Sequence, residues 1–161
     1  MSSESEVSEA RRRRRLTTAV KGALRDLRVQ LSLLNYRVGD QIDLKDVDLD
    51  CLDIITQHGS LSPSGLARVT GLHPATMTGI LDRLERGGWV LRERASKDRR
   101  AVTVRALRER NAELFRHYAG MNVLMDEICG SYSDAELELI ADFLHRTSAA
   151  GRDATNQFAA D

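Results

Sequence analysis

Proline and cysteine are scarce, at 2 residues each, aromatic side chains make up 4% of the chain, and the formal net charge is zero. With so little proline, helices can run long without a break. Cys51 and Cys129 stand alone, without CxxC spacing or nearby histidine partners. Neither a zinc site nor a disulfide framework is expected, and both thiols read as structural. No apolar run approaches the roughly 18 residues that a membrane span needs. The start MSSESEVSEA, followed by RRRRR, lacks the apolar core of a secretory signal, so the expected compartment is the cytoplasm, with no membrane partner. The histidines at 58, 73, 117 and 145 show no ligand spacing, and neither a nucleophile elbow nor a phosphate loop is present. The sequence therefore predicts no enzyme, no cofactor and no metal.

The zero net charge hides an asymmetry. Residues 61–105 carry 9 basic against 4 acidic side chains, residues 106–161 carry 5 against 10, and residues 1–60 balance at 10 each. Nucleic-acid binding is read from clustered charge rather than from the total, and the basic cluster lies in the middle of the chain. At 161 residues there is room for one well-packed domain or for a small domain with a helical appendage.

Residues 1–15, rich in Ser and Glu and then in Arg, read as a flexible basic arm. From Leu16 the apolar positions Leu16, Val20, Ala23, Leu27, Leu31, Leu34 and Val38 recur every three or four residues, predicting a long amphipathic helix ended by Gly39 and Asp40. A second helix is expected over Asp48–Gln57, burying Leu49, Leu52 and Ile55 and closing at His58-Gly59. In LSPSGLARVTG, Ser62 suits an N-cap and Pro63 a first helical position, with Leu66 and Val69 facing inward and Gly71 breaking the helix. The next helix restarts at Pro74, and Met77, Ile80, Leu81 and Leu84 share one face. Two short helices across a tight glycine turn form a helix-turn-helix candidate. The strand-like WVLRER and AVTVR flank ASKD-RR, which predicts a two-stranded hairpin in the position of a wing. Beyond Ala106, Leu114, Tyr118, Met121, Met125 and Ile128 predict one further helix stopped by Gly130, and Ser133 with Glu136 forms a capping box for a last helix.

The segment LSPSGLARVTGLHPATMTGILDRLERGGWVLRERASKDRRAVTV resembles the MarR family of bacterial winged helix-turn-helix transcriptional regulators. The likeness rests most on Thr76-x-Thr78, on Asp82-Arg83-Leu84-Glu85 and on Asp98-Arg99-Arg100. It implies a mainly α fold with a small β wing, and a homodimer whose N- and C-terminal helices interlock. It also implies a double-stranded pseudo-palindromic operator as partner and often a small-molecule pocket between lobe and dimer layer. On this reading residues 16–46 and 106–150 form the helical dimerisation region, residues 47–105 the winged DNA-binding domain and residues 151–161 a flexible tail. The long stripes fit a dimer independently, since one small winged domain cannot cover them; packing on each other within one protomer is the alternative. RALRERNAEL departs from the family pattern, lacking its Thr-Pro-x-Gly helix start.

With the apolar face of the recognition helix inward, Ala75, Thr76, Thr78, Gly79, Asp82, Arg83 and Arg86 face outward, and a major groove of about 12 Å admits such a helix. Arg83 is the candidate for a guanine or phosphate contact, and Arg86 either joins it or pairs with Asp82 at i,i+4. Gly79 either permits close backbone approach or is an ordinary surface glycine. His73 either caps the helix through its imidazole or leaves the turn to Pro74. The helix start at Ser62 and Ser64 suits a phosphate, with plain capping by Ser62 as the alternative. By resemblance, Arg100 is the arginine inserted into the minor groove and Asp98 its brace, while Arg92, Arg94, Lys97 and Arg99 contact phosphates. A solvated basic hairpin is the plain alternative.

Candidate effector-pocket residues are Asn35, Tyr36, Arg37, His58, Arg116, His117 and Tyr118. The expected function is a DNA-binding repressor released by a small molecule. The rivals are a redox-responsive regulator acting through Cys51 or Cys129 and a winged-helix module that binds protein instead of DNA. Asp50 and Asp53 beside Cys51 disfavour a reactive thiolate there.

Overall fold

The computed structural model describes residues 2–94 and 102–158. In chain order the elements are α1 (Ser2–Ile42), α2 (Asp46–His58), α3 (Pro63–Thr70), α4 (Pro74–Arg86), β1 (Val90–Arg94), β2 (Val102–Ala106), α5 (Arg108–His117), α6 (Ala119–Cys129) and α7 (Asp134–Phe158). The fold is mainly α with a small β wing, as expected. Residues 1–49 and 50–161 form two compact units.

The first unit holds α1, which begins far earlier than Leu16 and includes most of the segment read as an arm. Glu, Ala and Arg are strong helix formers, and in this stretch their propensity outweighs the crowding of like charge. Gly39 does not end α1. The helix closes three residues later, with Asp43 in the left-handed region (φ 57°) and the Leu44 N–H donating back to the Gly39 carbonyl at 3.0 Å. This is a Schellman closure in which Asp43 takes the place usually held by glycine. A Cβ on Gly39 would collide with the Leu44 carbonyl oxygen, so the glycine answers to the returning chain. The buried Asp48 carboxylate accepts the Lys45 N–H at 3.1 Å, which fixes the start of α2.

The core of the second unit gathers Leu52, Ile55, Leu66, the apolar face of α4, Trp89, Val90 and Val104, all buried. The expected faces of α2 and α4 hold, but in α3 Leu66 and Ala67 are buried while Val69 is exposed. Strands β1 and β2 pair antiparallel, with Val90 opposite Ala106 and Arg94 opposite Val102. Leu61 adds an isolated bridge, exchanging bonds with Val104 at 3.0 and 2.7 Å and tying the entry of α3 to the wing.

The single helix expected beyond Ala106 is two. Tyr118, at φ −95° and ψ 0°, separates α5 from α6; its N–H closes a tight turn on the Phe115 carbonyl, and its own carbonyl accepts from Asn122 to start α6. The apolar stripe through Met125 and Ile128 is exposed in the protomer. Helix α7 also runs on to Phe158, through most of the segment read as a tail.

The capping box at the start of α7 forms as expected. Glu136 Oε2 accepts the Ser133 N–H and the Ser133 hydroxyl, both at 2.8 Å. These bonds, the backbone one foremost, hold the Glu136 carboxyl below its ordinary range. A lowered folded-state value means stability that is present above the unfolded pKa, about 4.3, and is lost as pH falls through the folded one. Glu136→Gln is therefore expected to lower thermal stability slightly at pH 7, with the difference vanishing in acid below the ordinary glutamate range. Melting curves of both proteins across pH 2–7 measure it.

Candidate nucleic-acid interface

Local chemistry sets the two helices of the motif. Ser62 caps α3, its Oγ accepting the Gly65 N–H at 3.0 Å, with Ser64 Oγ 3.2 Å away. The hydroxyl of Ser62 is thus engaged in capping. Gly71 ends α3 in the left-handed region, at φ 69°. His73 then caps α4: its Nδ1 accepts the Ala75 N–H at 3.2 Å, and Pro74 holds the first turn. An acceptor Nδ1 carries no proton, so the neutral ring bears its proton on Nε2.

Met77, Ile80, Leu81 and Leu84 anchor α4 in the core, and Ala75, Thr76, Thr78, Asp82 and Arg86 are exposed on the opposite face. The Thr78 hydroxyl donates to the Pro74 carbonyl at 3.0 Å, which leaves its lone pairs and methyl as the groups it presents. Among the described residues a Cβ on Gly79 would meet only an Arg83 guanidinium nitrogen, at 3.7 Å, an ordinary contact. Nothing within the described chain demands glycine there.

Asp82, a candidate partner for Arg86, is taken by Arg92 instead. Arg92 of β1 donates to Asp82 Oδ1 at 2.6 Å and to Glu85 Oε2 at 2.9 Å, and its backbone N–H reaches Glu85 Oε1 at 3.3 Å. The side chain expected to hold a phosphate therefore straps the wing to the recognition helix, because α4 presents two carboxylates one turn apart beside β1. Arg94 is exposed at the end of β1, and Arg105 of β2 pairs across the ladder with Glu93 at 2.9 Å. Lys97, Asp98, Arg99 and Arg100, the wing-tip candidates, lie outside the described residues.

A family model for MarR matches residues 44–102, from just before α2 to the first residue of β2. The HTH-type transcriptional regulator YcgE of Bacillus subtilis is 31% identical over 134 residues, covering 81% of this chain and 84% of the relative. The chain belongs to the MarR family. MarR-family proteins are DNA-binding transcriptional regulators and not enzymes. The HTH-type transcriptional repressor YetL of the same organism is 29% identical over 92 residues, covering 55% of each chain. Among solved structures, Streptococcus pneumoniae FabT in complex with DNA has the same fold, with a TM-score of 0.64 at 20% identity over 88% of this chain and 98% of that one.

Membership of the MarR family leaves the effector candidates to be placed one by one. Asn35, Tyr36 and Arg37 lie on α1 in the first unit, with Tyr36 and Arg37 exposed. In the second unit His58 Nδ1 donates to the Ile54 carbonyl at 2.8 Å, Arg116 and His117 end α5, and Tyr118 marks its break from α6. None of these seven lines the cavity of about 710 Å³ that opens beside Thr56, Gly59, Arg105 and residues 106–111. Asn111 in that wall is buried; its Nδ2 donates to Thr56 Oγ1 at 2.9 Å, and its Oδ1 has no hydrogen-bond partner among the described residues. Sequence reasoning missed the cavity, whose only local signal was the absent Thr-Pro-x-Gly helix start.

Cys51 is fully buried, out of reach of solvent oxidants, and Cys129 is half-buried. Among the described residues no group of His, Cys, Asp and Glu side chains forms a metal site, and no helix is long and apolar enough to cross a membrane.

Proposed function

We propose that the protein is a homodimeric, sequence-specific repressor that reads a pseudo-palindromic duplex and is released by a small-molecule effector. One observation carries the reading: α4 is anchored by four buried apolar side chains, and its outward face, strapped to the wing through Arg92, offers Ala75, Thr76, Thr78 and the open backbone at Gly79. Such a face suits a major groove. Arg83 and Arg86 reach base edges or phosphates, Arg94 with Lys97 and Arg99 of the tip holds phosphates, and Ser64 with the start of α3 holds another. The Nε2–H of His73 serves as a further donor to the backbone. FabT, a relative in fold, is described in complex with DNA, and YetL is described as a repressor.

The dimer is supported by apolar stripes left exposed in the protomer, Leu16, Val20, Leu27 and Leu31 on α1 and Ile140, Phe143 and Leu144 on α7. An effector site is supported by the cavity beside α5, where the buried Asn111 Oδ1 is left to accept from a bound group.

Selection of bound sites from random duplex DNA, followed by a screen for small molecules that release the winning site, tests the whole reading. An enriched inverted repeat with half-sites about one helical turn apart is expected. Enrichment of no site contradicts it.

Asp98 offers a sharper test of the wing. If its carboxylate orients Arg100 through a charge-assisted bond, Asp98→Ala weakens operator binding by about tenfold even though it removes a negative charge. Tighter binding, read in a duplex titration at fixed salt, means that the tip acts as a bare positive surface.

A further inference from the structure

Helix α5 begins without the usual chemistry of a helix start. Its N-cap is Leu107, which has no side-chain hydroxyl or carboxylate to offer the free amides. What holds this end is Trp89. The Leu107 N–H donates to the Trp89 carbonyl at 2.9 Å, and the guanidinium of Arg110 lies over the Trp89 ring, 4.2 Å from its centroid. Arg110 also donates to the Gly87 carbonyl at 3.2 Å and pairs with Glu113 one turn along α5. Gly87 caps α4, and Trp89 opens the path into β1. One planar side chain therefore joins the first turn of α5 to the turn that carries the recognition helix into the wing.

We infer that Arg110 is a positioning residue for DNA binding: it fixes the α4–β1 turn on α5 and so sets how α4 and the Arg92-strapped wing are presented together. Three properties of the guanidinium are used at once, namely its flat face on the indole, its fork of donors to Gly87 and Glu113, and its fixed charge. Lysine supplies only the charge. The same side chain lines the cavity beside Asn111, so the clamp lies between that cavity and the recognition helix. This role rests on the DNA-binding reading.

The test compares the full-length wild type with Arg110→Ala, Arg110→Lys and Glu113→Gln, all confirmed as folded by circular dichroism, on a selected duplex and on a random one. Trp89 is the only tryptophan, so its emission reports the clamp in the same samples without DNA. Arg110→Ala is expected to shift the emission and to weaken the selected duplex about tenfold, with random-duplex affinity and the salt slope unchanged. Arg110→Lys is expected to behave like the alanine variant. Glu113→Gln keeps the stack and is expected to lose less.

A salt slope smaller by about one, with both duplexes weakened, overturns the inference by making Arg110 a direct phosphate contact. Unchanged emission or unchanged selected-duplex affinity in both Arg110 variants also overturns it. Should Arg110→Ala fail to fold, Arg110→Lys and Glu113→Gln carry the same comparison. A wild type that binds no duplex overturns the DNA reading and this role together, whereas wild-type binding with no loss in the variants overturns this role alone.

Discussion

Replacing Ile140 and Leu144 of α7 with glutamate is expected to turn the protein into a monomer and to cost about a hundredfold or more in operator affinity. Both side chains lie on one apolar stripe of α7, and they are 37% and 42% exposed in the protomer. No residue of α7 is buried within the protomer, so the substitutions leave its core untouched. In a dimer each such side chain contributes about 1.5–3 kcal/mol on burial, and a carboxylate in its place would have to be desolvated without a partner. Two tethered lobes bind two half-sites as one event, and a monomer loses that gain. Sedimentation equilibrium measures the first expectation and a duplex titration the second. A double variant that stays dimeric shows that the α7 stripe is covered by something other than a second copy.

Gly79→Ala is expected to move stability and affinity in opposite directions. In the middle of a helix glycine costs about 1 kcal/mol relative to alanine, and the added methyl meets nothing among the described residues closer than 3.7 Å, so the free protein is expected to become more stable. If the backbone at this point lies against DNA, the same methyl pushes α4 outward and weakens the selected duplex by about tenfold or more. Thermal melting and duplex titration of one preparation give both signs. A gain in stability with unchanged affinity makes Gly79 an ordinary surface glycine.

The parts of the fold that were legible in the sequence are those fixed by neighbours along the chain. Ser62 with Pro63, Gly71, Pro74 and the Ser133–Glu136 box act over three or four residues, and each does locally what its chemistry dictates. The outward face of α4 followed from the same period. The illegible parts depend on residues distant in sequence. Gly39 reads as a helix stop, yet its role is set by the carbonyl of Leu44 returning over it. The break at Tyr118 has no proline to announce it, Gly120 close by lies inside α6 rather than at the break, and the Met125 and Ile128 stripe runs on in sequence as though the helix were whole. Arg92 reads as a phosphate contact and Arg110 draws no reading at all, because nothing local distinguishes an arginine aimed at phosphate from one held by Asp82, Glu85 or Trp89. For Arg92 a signal was present: two carboxylates three residues apart on α4 beside a hairpin need a cation.

The central claim is that α4 and the wing together read a duplex through base contacts supported by many phosphate contacts. Its most direct test is the affinity of the wild-type protein for its selected duplex, titrated from about 50 to 200 mM salt beside a random duplex of equal length. The account predicts a linear fall of log affinity with log salt, amounting to about a thousandfold or more if six or more phosphates are held, with the selected duplex ahead by at least about a thousandfold throughout. An affinity indifferent to salt, or equal for the two duplexes, contradicts it.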